Sequence, residues 1–365
     1  MSRPTPSPVP SAPQPQSPTS DTHPPRWAAR NLHFAATLAL TLALPFALQA
    51  ARFPVRYNWP QYFLSYWFVF GIRSILGAAL FFLIGCPGQF RRWLKTPRSQ
   101  APLSAQFARL AKRVAAVVLP AAYLFIGLIV AFSYNDIIAA VRFNFHADAQ
   151  LNRIDAWMMH GLTVSRLAHL VAAHVPLRTF DVMTVIYFLL FPALGSTLVF
   201  LALQSGPARA MQFVGALMTS YYIVVACFYL IPAVGPFVIC PDHFSVFPRT
   251  MNMFAGHYEY IEVLKGYMAG QRPDVLGPHY FAALPCMHIV QPVIALWFLR
   301  PWKRLALLFV IFNILLIPCI LLLEQHYVID LVAAIPLILL VLGMIDGLKW
   351  GPGPSGAVVA PPVQN

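Results

Sequence analysis

Long runs of apolar residues, separated by short polar or basic stretches, dominate the chain. A helix needs about 20 apolar residues to cross a bilayer, because every backbone polar group must be hydrogen-bonded within the span. The pattern therefore predicts an all-α fold, a polytopic membrane helix bundle with about eight transmembrane helices. The segments that meet or approach the required length are Leu32–Leu48, Phe63–Gly85, Val114–Phe132, Val182–Ala202, Phe213–Ile231, Phe281–Leu299, Leu305–Leu323 and Tyr327–Ile345.

The ends of the chain differ from this apolar middle. The first 25 residues carry nine prolines among Ser, Thr and Gln, which leaves too little apolar surface for folding. We predict a disordered Pro-rich cytoplasmic tail at 1–30 and two accessory spans with a basic cytoplasmic loop at 31–113. A six-helix core at 114–346 and a second disordered tail at 347–365 complete the predicted organisation.

Composition and charge support a membrane protein. With 59% hydrophobic and 10% charged residues, the chain lies outside the range of soluble domains, in which roughly a quarter of residues are charged. The net charge of +13 does not indicate a nucleic-acid partner, because the basic residues flank apolar runs. Fifteen of the basic residues lie on the same side of the membrane as the termini, and nine of the twelve acidic residues lie on the opposite side. The termini are therefore expected on the cytoplasmic side of a plasma or bacterial inner membrane.

This orientation places the segments 133–181 and 232–280 and the turn Glu324–His326 on the extracytoplasmic side of the membrane. Within the first of them, Arg142–Pro176 mixes apolar and charged residues at near-helical spacing. Two interpretations stay open for it: helices lying along the outer interface, or an ordinary extramembrane helix pair.

One candidate for chemistry is His288, near the start of the predicted sixth span. Pro285 precedes it, and proline is favoured in a first helical turn because its missing N–H would be unpaired there. We therefore expect Pro285 in the first turn and His288 about one turn further in. The N-terminus of such a helix offers backbone N–H groups and a positive dipole end, both suited to a phosphate.

The second candidate is the pair His326 and Asp330. Residues four apart share one face of a helix, so Asp330 is placed to hold the imidazole of His326. A carboxylate that fixes the tautomer makes the opposite ring nitrogen a better nucleophile or base. The topology opens this turn on the same membrane face as Lys265, Arg272 and His288, so we expect the two imidazoles and the carboxylate to converge around a bound phosphorus atom.

The five cysteines, Cys86, Cys227, Cys240, Cys286 and Cys319, show no metal-ligand spacing and are read mostly as small apolar residues. A disulfide between Cys240 and Cys286 stays open, because both could face an oxidising compartment.

These motifs resemble those of the type 2 phosphatidic acid phosphatase superfamily, which has Lys-x6-Arg-Pro, Pro-Ser-x-His and Ser-Arg-x5-His-x3-Asp signatures in that order. The matching positions are Lys265 to Pro273, Pro285 to His288, and His326 to Asp330. The segment LNRIDAWMMHGLTVSRLAHL and the ending EQHYVIDLVAA look most similar to the inositol phosphorylceramide synthase branch, the inositolphosphotransferases. Cys286 stands where the family usually has serine.

The resemblance implies a role for each matching residue. His326 would attack phosphorus to give a phosphohistidine, Asp330 would orient it, and His288 would protonate the leaving oxygen. Lys265 and Arg272 would bind the phosphate. The resemblance implies no metal and no cofactor.

The sequence thus favours a membrane phosphotransferase or phosphatase that acts on a lipid or polyprenyl phosphate or phosphodiester at the extracytoplasmic face. A lipid or small-molecule transporter without catalysis is the alternative. Transporters tend to have Gly/Pro-broken spans in two similar halves and ionisable residues near the midplane, whereas the ionisable cluster here lies at helix ends.

Overall fold

The computed structural model describes residues 26–53, 69–88, 103–240, 243–247, 252–272 and 279–346. Within these ranges the chain is helical and forms no strand, which confirms the predicted all-α bundle. A short 3-10 helix covers Pro236–Val238. The α-helices are α1 (Arg26–Ala50), α2 (Val69–Gly85), α3 (Leu103–Arg142), α4 (His146–Met158), α5 (Val164–Ala172), α6 (Arg178–Phe188), α7 (Leu190–Gln204), α8 (Pro207–Leu230), α9 (His243–Val246), α10 (Asn252–Met268), α11 (Met287–Leu299), α12 (Lys303–Leu322) and α13 (Val328–Asp346).

In the described part of the chain, six helical segments are long and apolar enough to cross a membrane, and two shorter apolar helices accompany them. Each of the eight predicted spans overlaps one of these segments. The longer ones are His33–Ala50, Ala111–Arg142, Arg178–Gln204, Pro207–Leu230, Lys303–Leu322 and Val328–Ile345, and the shorter ones are Gly71–Gly85 and Met287–Leu299.

The predicted sixth span begins too early, because residues 281–286 are not helical. Their backbone N–H groups bond to other parts of the protein instead of to a preceding helical turn. The amide of Phe281 donates to Asn135 Oδ1 at 2.6 Å. The amide of Ala283 donates to the Ala233 carbonyl at 2.9 Å. Helix α11 consequently starts only at Met287.

Helix α8 lies at the centre of the bundle, where it packs against α3, α7, α11 and α13. The accessory helix α2 packs on α7 through small residues, and Ser196 Oγ donates to the Ser74 carbonyl at 3.1 Å. A Cβ on Gly77 or Gly195 would collide with a serine side chain of the facing helix. Small residues let two helix backbones approach closely where no aqueous hydrophobic effect drives them together.

The predicted tails fall largely outside the described residues, which exclude 1–25 and 347–365. Helix α1 already begins at Arg26, within the predicted N-terminal tail. The domain boundaries proposed from the sequence stay predictions.

Candidate active site

Two imidazoles and a carboxylate meet where α11 and α13 begin. His288 Nδ1 lies 3.1 Å from His326 Nε2. The other ring nitrogen of His326, Nδ1, lies 2.9 Å from the Ala283 carbonyl oxygen and 3.3 Å from Asp330 Oδ2. Because a carbonyl oxygen only accepts hydrogen bonds, Nδ1 of His326 carries a proton in both charge states. The lone pair of a neutral His326 therefore lies on Nε2, the nitrogen that faces His288.

Asp330 also caps the helix that carries it. Its Oδ2 accepts a hydrogen bond at 2.8 Å from the amide of Tyr327, three residues earlier. An acidic side chain at the third helical position that reaches back to the amide before the helix is half of a capping box. The Asp330 carbonyl, in turn, accepts from the amide of Cys286 at 3.1 Å, which ties the start of α11 to the start of α13.

The His326 ring is almost completely buried, with 3% of the residue exposed, and Asp330 is fully buried. Burial alone disfavours an imidazolium, but Cys286 and Asp330 outweigh it and raise the pKa of His326 to about 10. A raised pKa means that His326 holds a second proton at neutral pH unless a neighbour or a ligand accepts it. The half-buried His288 presents its Nδ1 to that proton and accepts a hydrogen bond from it.

The expected place of Pro285 in a first helical turn is wrong. Cys286 precedes the first helical residue and has an extended backbone, so Pro285 lies outside α11. His288 is the second residue of the helix rather than one turn inside it. The tertiary hydrogen bond from the Cys286 amide to Asp330 explains the late start, because it holds this backbone on α13.

The position of the His288 ring depends on α6, which the sequence did not connect with this site. The buried ring of Tyr187 stacks on the His288 ring, with 4.3 Å between centroids and 27° between planes. The Tyr187 hydroxyl donates to Gln325 Oε1 at 3.4 Å, and the Gln325 amide contacts His257. Tyr187 and Gln325 thus link α6 to the residue that precedes His326.

A carboxylate from α4 binds the start of α13. Asp155 is fully buried and accepts from the amides of Val328 at 2.8 Å and Ile329 at 3.1 Å. These amides belong to the first helical turn and have no partner within the helix. Burial raises the pKa of Asp155 to about 6, against the opposing effect of these two hydrogen bonds. Asp155 therefore holds the backbone that carries His326 and Asp330.

A second buried carboxylate, Asp148, lies two turns earlier on the same face of α4. It accepts hydrogen bonds from the amides of Val234 and Gly235 and from the Tyr327 hydroxyl at 3.0 Å. Burial raises the pKa of Asp148 to about 7, although the hydrogen bonds lower it. The seven-residue spacing of two acids in a partly apolar segment was the available sequence signal, since such residues share a helix face.

Gly235 tests how tightly its own backbone packs against the Glu324–Gln325 turn, which precedes His326. Its φ of 145° and ψ of 165° lie in a region that essentially only glycine adopts. A Cβ there would lie 2.8 Å from the carbonyl oxygen of Gln325, next to His326. Gly235→Ala is expected to destabilise the protein by about 1–3 kcal/mol and to lower activity by displacing this turn. Thermal unfolding in detergent measures the first effect.

The matched control for this variant is Gly256→Ala. Gly256 lies in α10, and a Cβ there meets no atom within 4 Å. Alanine raises helix propensity, so the control should be neutral or slightly stabilising. Equal stability of the two variants would contradict the close approach at residue 235.

The two predicted phosphate-binding cations, Lys265 and Arg272, have other partners. Lys265 is 60% exposed and pairs with Glu262 at 3.0 Å. The Arg272 guanidinium donates to four backbone carbonyls, those of Ala51, Ala140, Tyr267 and Gln271. Within the described residues, neither cation has a hydrogen bond or ion pair with His288 or His326. Phosphate binding by Lys265 and Arg272 stays a prediction, and Pro273 lies outside the described residues.

The five cysteines are thiols, so the open alternative of a Cys240–Cys286 disulfide is not observed. Among the residues that the structure describes, two groups of side chains have ligand atoms close enough to share a metal ion. One is Cys286, His288 and His326, at the site just described, and the other is His169, Cys240 and Glu324. The first group uses the same nitrogen atoms that the imidazole pair brings together.

Of three comparisons with known proteins, one found a match. No curated protein and no solved structure matches the chain. A sequence model of the PAP2 superfamily matches residues 149–344, which include α11, α13 and both histidines. The match covers more than half of the chain, and the members of this superfamily are generally phosphatases and phosphotransferases. With its helical bundle of apolar spans and its paired imidazoles, the chain belongs to the PAP2 superfamily.

Proposed function

We propose that the protein is an integral membrane phosphotransferase or phosphatase that acts on a lipid phosphate or phosphodiester through a phosphohistidine on His326. The observation that carries this proposal is the 3.1 Å approach of His288 Nδ1 to His326 Nε2, with His326 Nδ1 held by Ala283 and Asp330. This arrangement directs one lone pair and one transferable proton toward the same point. The charge distribution of the loops supports an extracytoplasmic site.

In the first step, the lone pair on His326 Nε2 attacks phosphorus, and the bond from phosphorus to the leaving oxygen breaks. His288 donates a proton to that oxygen, so the lipid alcohol departs neutral. Asp330 and the Ala283 carbonyl stabilise the positive charge that develops on the imidazole, because both lie against its Nδ1–H. For this step, the second proton that His326 holds at neutral pH must first pass to His288 or to the bound phosphate.

In the second step, an oxygen nucleophile attacks the phosphohistidine and gives its proton to His288. The nitrogen–phosphorus bond breaks and His326 is restored. Water as the nucleophile makes the protein a phosphatase, whereas a lipid alcohol makes it a phosphotransferase, similar to the inositolphosphotransferases. The same residues serve both outcomes.

Incubation of the purified protein in detergent with labelled phosphatidylinositol, together with ceramide or diacylglycerol, tests this function. Transfer to ceramide predicts a new labelled phospholipid, transfer to a diacylglycerol with different acyl chains predicts a labelled phosphatidylinositol of changed mass, and hydrolysis predicts labelled inositol phosphate. Phosphatidic acid and a polyprenyl diphosphate, assayed for phosphate release, cover the monoester and diphosphate classes. No product from any of these substrates would contradict the enzymatic proposal and favour a transporter without catalysis.

The raised pKa of His326 gives a prediction for the pH dependence. In the reactive state His326 is neutral and His288 holds the extra proton of the pair, so the rate should fall as the pH rises through about 10, the pKa of His326, and that proton is lost. Asp330→Asn removes a charge that favours the imidazolium, which lowers the pKa of His326. The alkaline limb of the kcat/KM profile should therefore move to lower pH, while the maximal rate falls because the ring is less well held.

Asp181→Asn serves as the control, because Asp181 is exposed in the first turn of α6. Its pH profile should match that of the unaltered protein. An alkaline limb that stays in place in Asp330→Asn would show that Asp330 does not act on the proton affinity of the paired imidazoles.

A further inference from the structure

A second cluster of metal-binding side chains lies on the other side of the turn that leads to His326. His169 Nε2 lies 3.3 Å from Glu324 Oε1 and 3.8 Å from Cys240 Sγ. The three ligand atoms lie within 4.8 Å of one another. The residues come from α5, from the segment after the 3-10 helix and from the end of α12, so the tertiary fold rather than local sequence brings them together.

Glu324 is an unusual residue for a purely structural turn. It is fully buried, and its φ of 54° lies in the left-handed region that costs a non-glycine residue about 1–3 kcal/mol. Its Oε2 accepts a hydrogen bond at 3.3 Å from Ser165, which lies one turn before His169 in α5.

The spacing of the three ligand atoms suits one ion in particular. Zinc bonds are about 2.3 Å to sulfur and about 2.0–2.1 Å to nitrogen or oxygen, so neighbouring ligand atoms of a tetrahedral site lie about 3.3–3.6 Å apart. The observed 3.3 Å and 3.8 Å are close to these values. Thiolate and imidazole ligands favour zinc over magnesium or calcium, which prefer oxygen ligands.

We propose that His169 Nε2, Cys240 Sγ and Glu324 Oε1 bind one Zn²⁺, with a water molecule as the fourth ligand. A cavity of about 400 Å³, lined by residues that include Ser165, His169 and Cys240, provides the entry path and the fourth position. Binding displaces the Cys240 thiol proton and leaves the imidazole neutral. The thiolate and the carboxylate then balance the two charges of the ion, which fits a site beside Arg166 in the same cavity wall.

This site is separate from the paired imidazoles, but it holds the same backbone. Glu324 precedes His326 by two residues, and a bound ion would tie their turn to α5. Ser165 would keep its hydrogen bond to the other carboxylate oxygen and so orient the ligand. A bound ion would therefore help to fix the nucleophile's turn in place.

Cobalt substitution of the tag-free, full-length protein in detergent tests the proposal. One Co²⁺ per chain should bind, with a thiolate-to-cobalt charge-transfer band, and Zn²⁺ should displace it. Cys240→Ser should abolish the band and weaken Zn²⁺ binding more than about 100-fold. Two controls should keep it: His174→Gln, in an exposed residue just after α5, and Cys286→Ser, in the other cluster.

Loss of the band in Cys286→Ser but not in Cys240→Ser would overturn the proposal, because the ion would then occupy the paired-imidazole site. A second measurement needs no variant at this site. Zn²⁺ should slow alkylation of Cys240 by iodoacetamide at least tenfold, read by mass spectrometry of the unaltered protein, and should leave the half-buried Cys227 unaffected. Equal alkylation of Cys240 with and without Zn²⁺ would equally overturn it.

Discussion

Replacing His326 with glutamine is expected to lower phosphoryl transfer by about four orders of magnitude or more, because the variant lacks the nucleophile of the first step and the phosphoryl carrier of the second. Glutamine can still donate a hydrogen bond to the Ala283 carbonyl, so the turn should keep its shape. The loss should appear in kcat and not only in KM. The second readout is the acid-labile, alkali-stable label that a phosphohistidine retains after a quench with labelled substrate.

His174→Gln is the matched control for this variant. His174 is exposed, and its ring nitrogen bonds only to a backbone carbonyl, that of Leu170 at 2.7 Å. The control should keep full activity and full labelling. Retained turnover or retained label in His326→Gln would rule out a phosphohistidine at this position.

Replacing His288 with glutamine is expected to lower the rate by about 10²–10⁴-fold on natural lipid substrates, the usual contribution of a general acid or base. A lipid alkoxide is a strong base and leaves only when it receives a proton. A nitrophenolate leaves without one, so the variant should lose much less of its first-step rate on p-nitrophenyl phosphate. The ratio of the two losses measures the role of His288 as an acid.

Comparison of the two leaving groups within one variant serves as the internal control, because a misfolded site would slow both substrates alike. Equal losses would assign His288 to holding the site together rather than to proton transfer. Tyr187→Phe adds a further comparison, since it keeps the ring that stacks on His288 and removes only the hydroxyl.

Hydropathy and short-range spacing predicted much of this arrangement. Each predicted span overlaps an apolar helix, because the cost of unpaired backbone groups in lipid makes that signal strong. The approach of Asp330 to His326 follows from a spacing of four residues at a helix start. The start of α11 was predicted six residues early, since hydropathy does not register backbone hydrogen bonds to distant segments.

Contacts between distant segments could not be predicted in this way. Asp155 binds amides that lie 173 and 174 residues further along the chain. The periodicity of a helix does not indicate such a long-range pairing, and a single sequence carries no covariation. The same holds for Arg272, whose guanidinium donates to carbonyls of residues as far back as Ala51. Its predicted phosphate contact stays a prediction, and these hydrogen bonds to backbone carbonyls could not be predicted from its charge and spacing.

The two acids of α4 have a consequence for how this protein can vary. Asp148 accepts a hydrogen bond from the Gly235 amide, and Asp155 accepts one from the Val328 amide. Recombination between two genes could replace α4 without replacing the segments that carry these amides. A hybrid that takes α4 from one relative and α13 from another would need both acids and both receiving loops to stay in register. Helix α4 and the nucleophile's helix should accordingly be inherited as one unit, while the accessory helix α2 is free to be exchanged together with its contact face on α7.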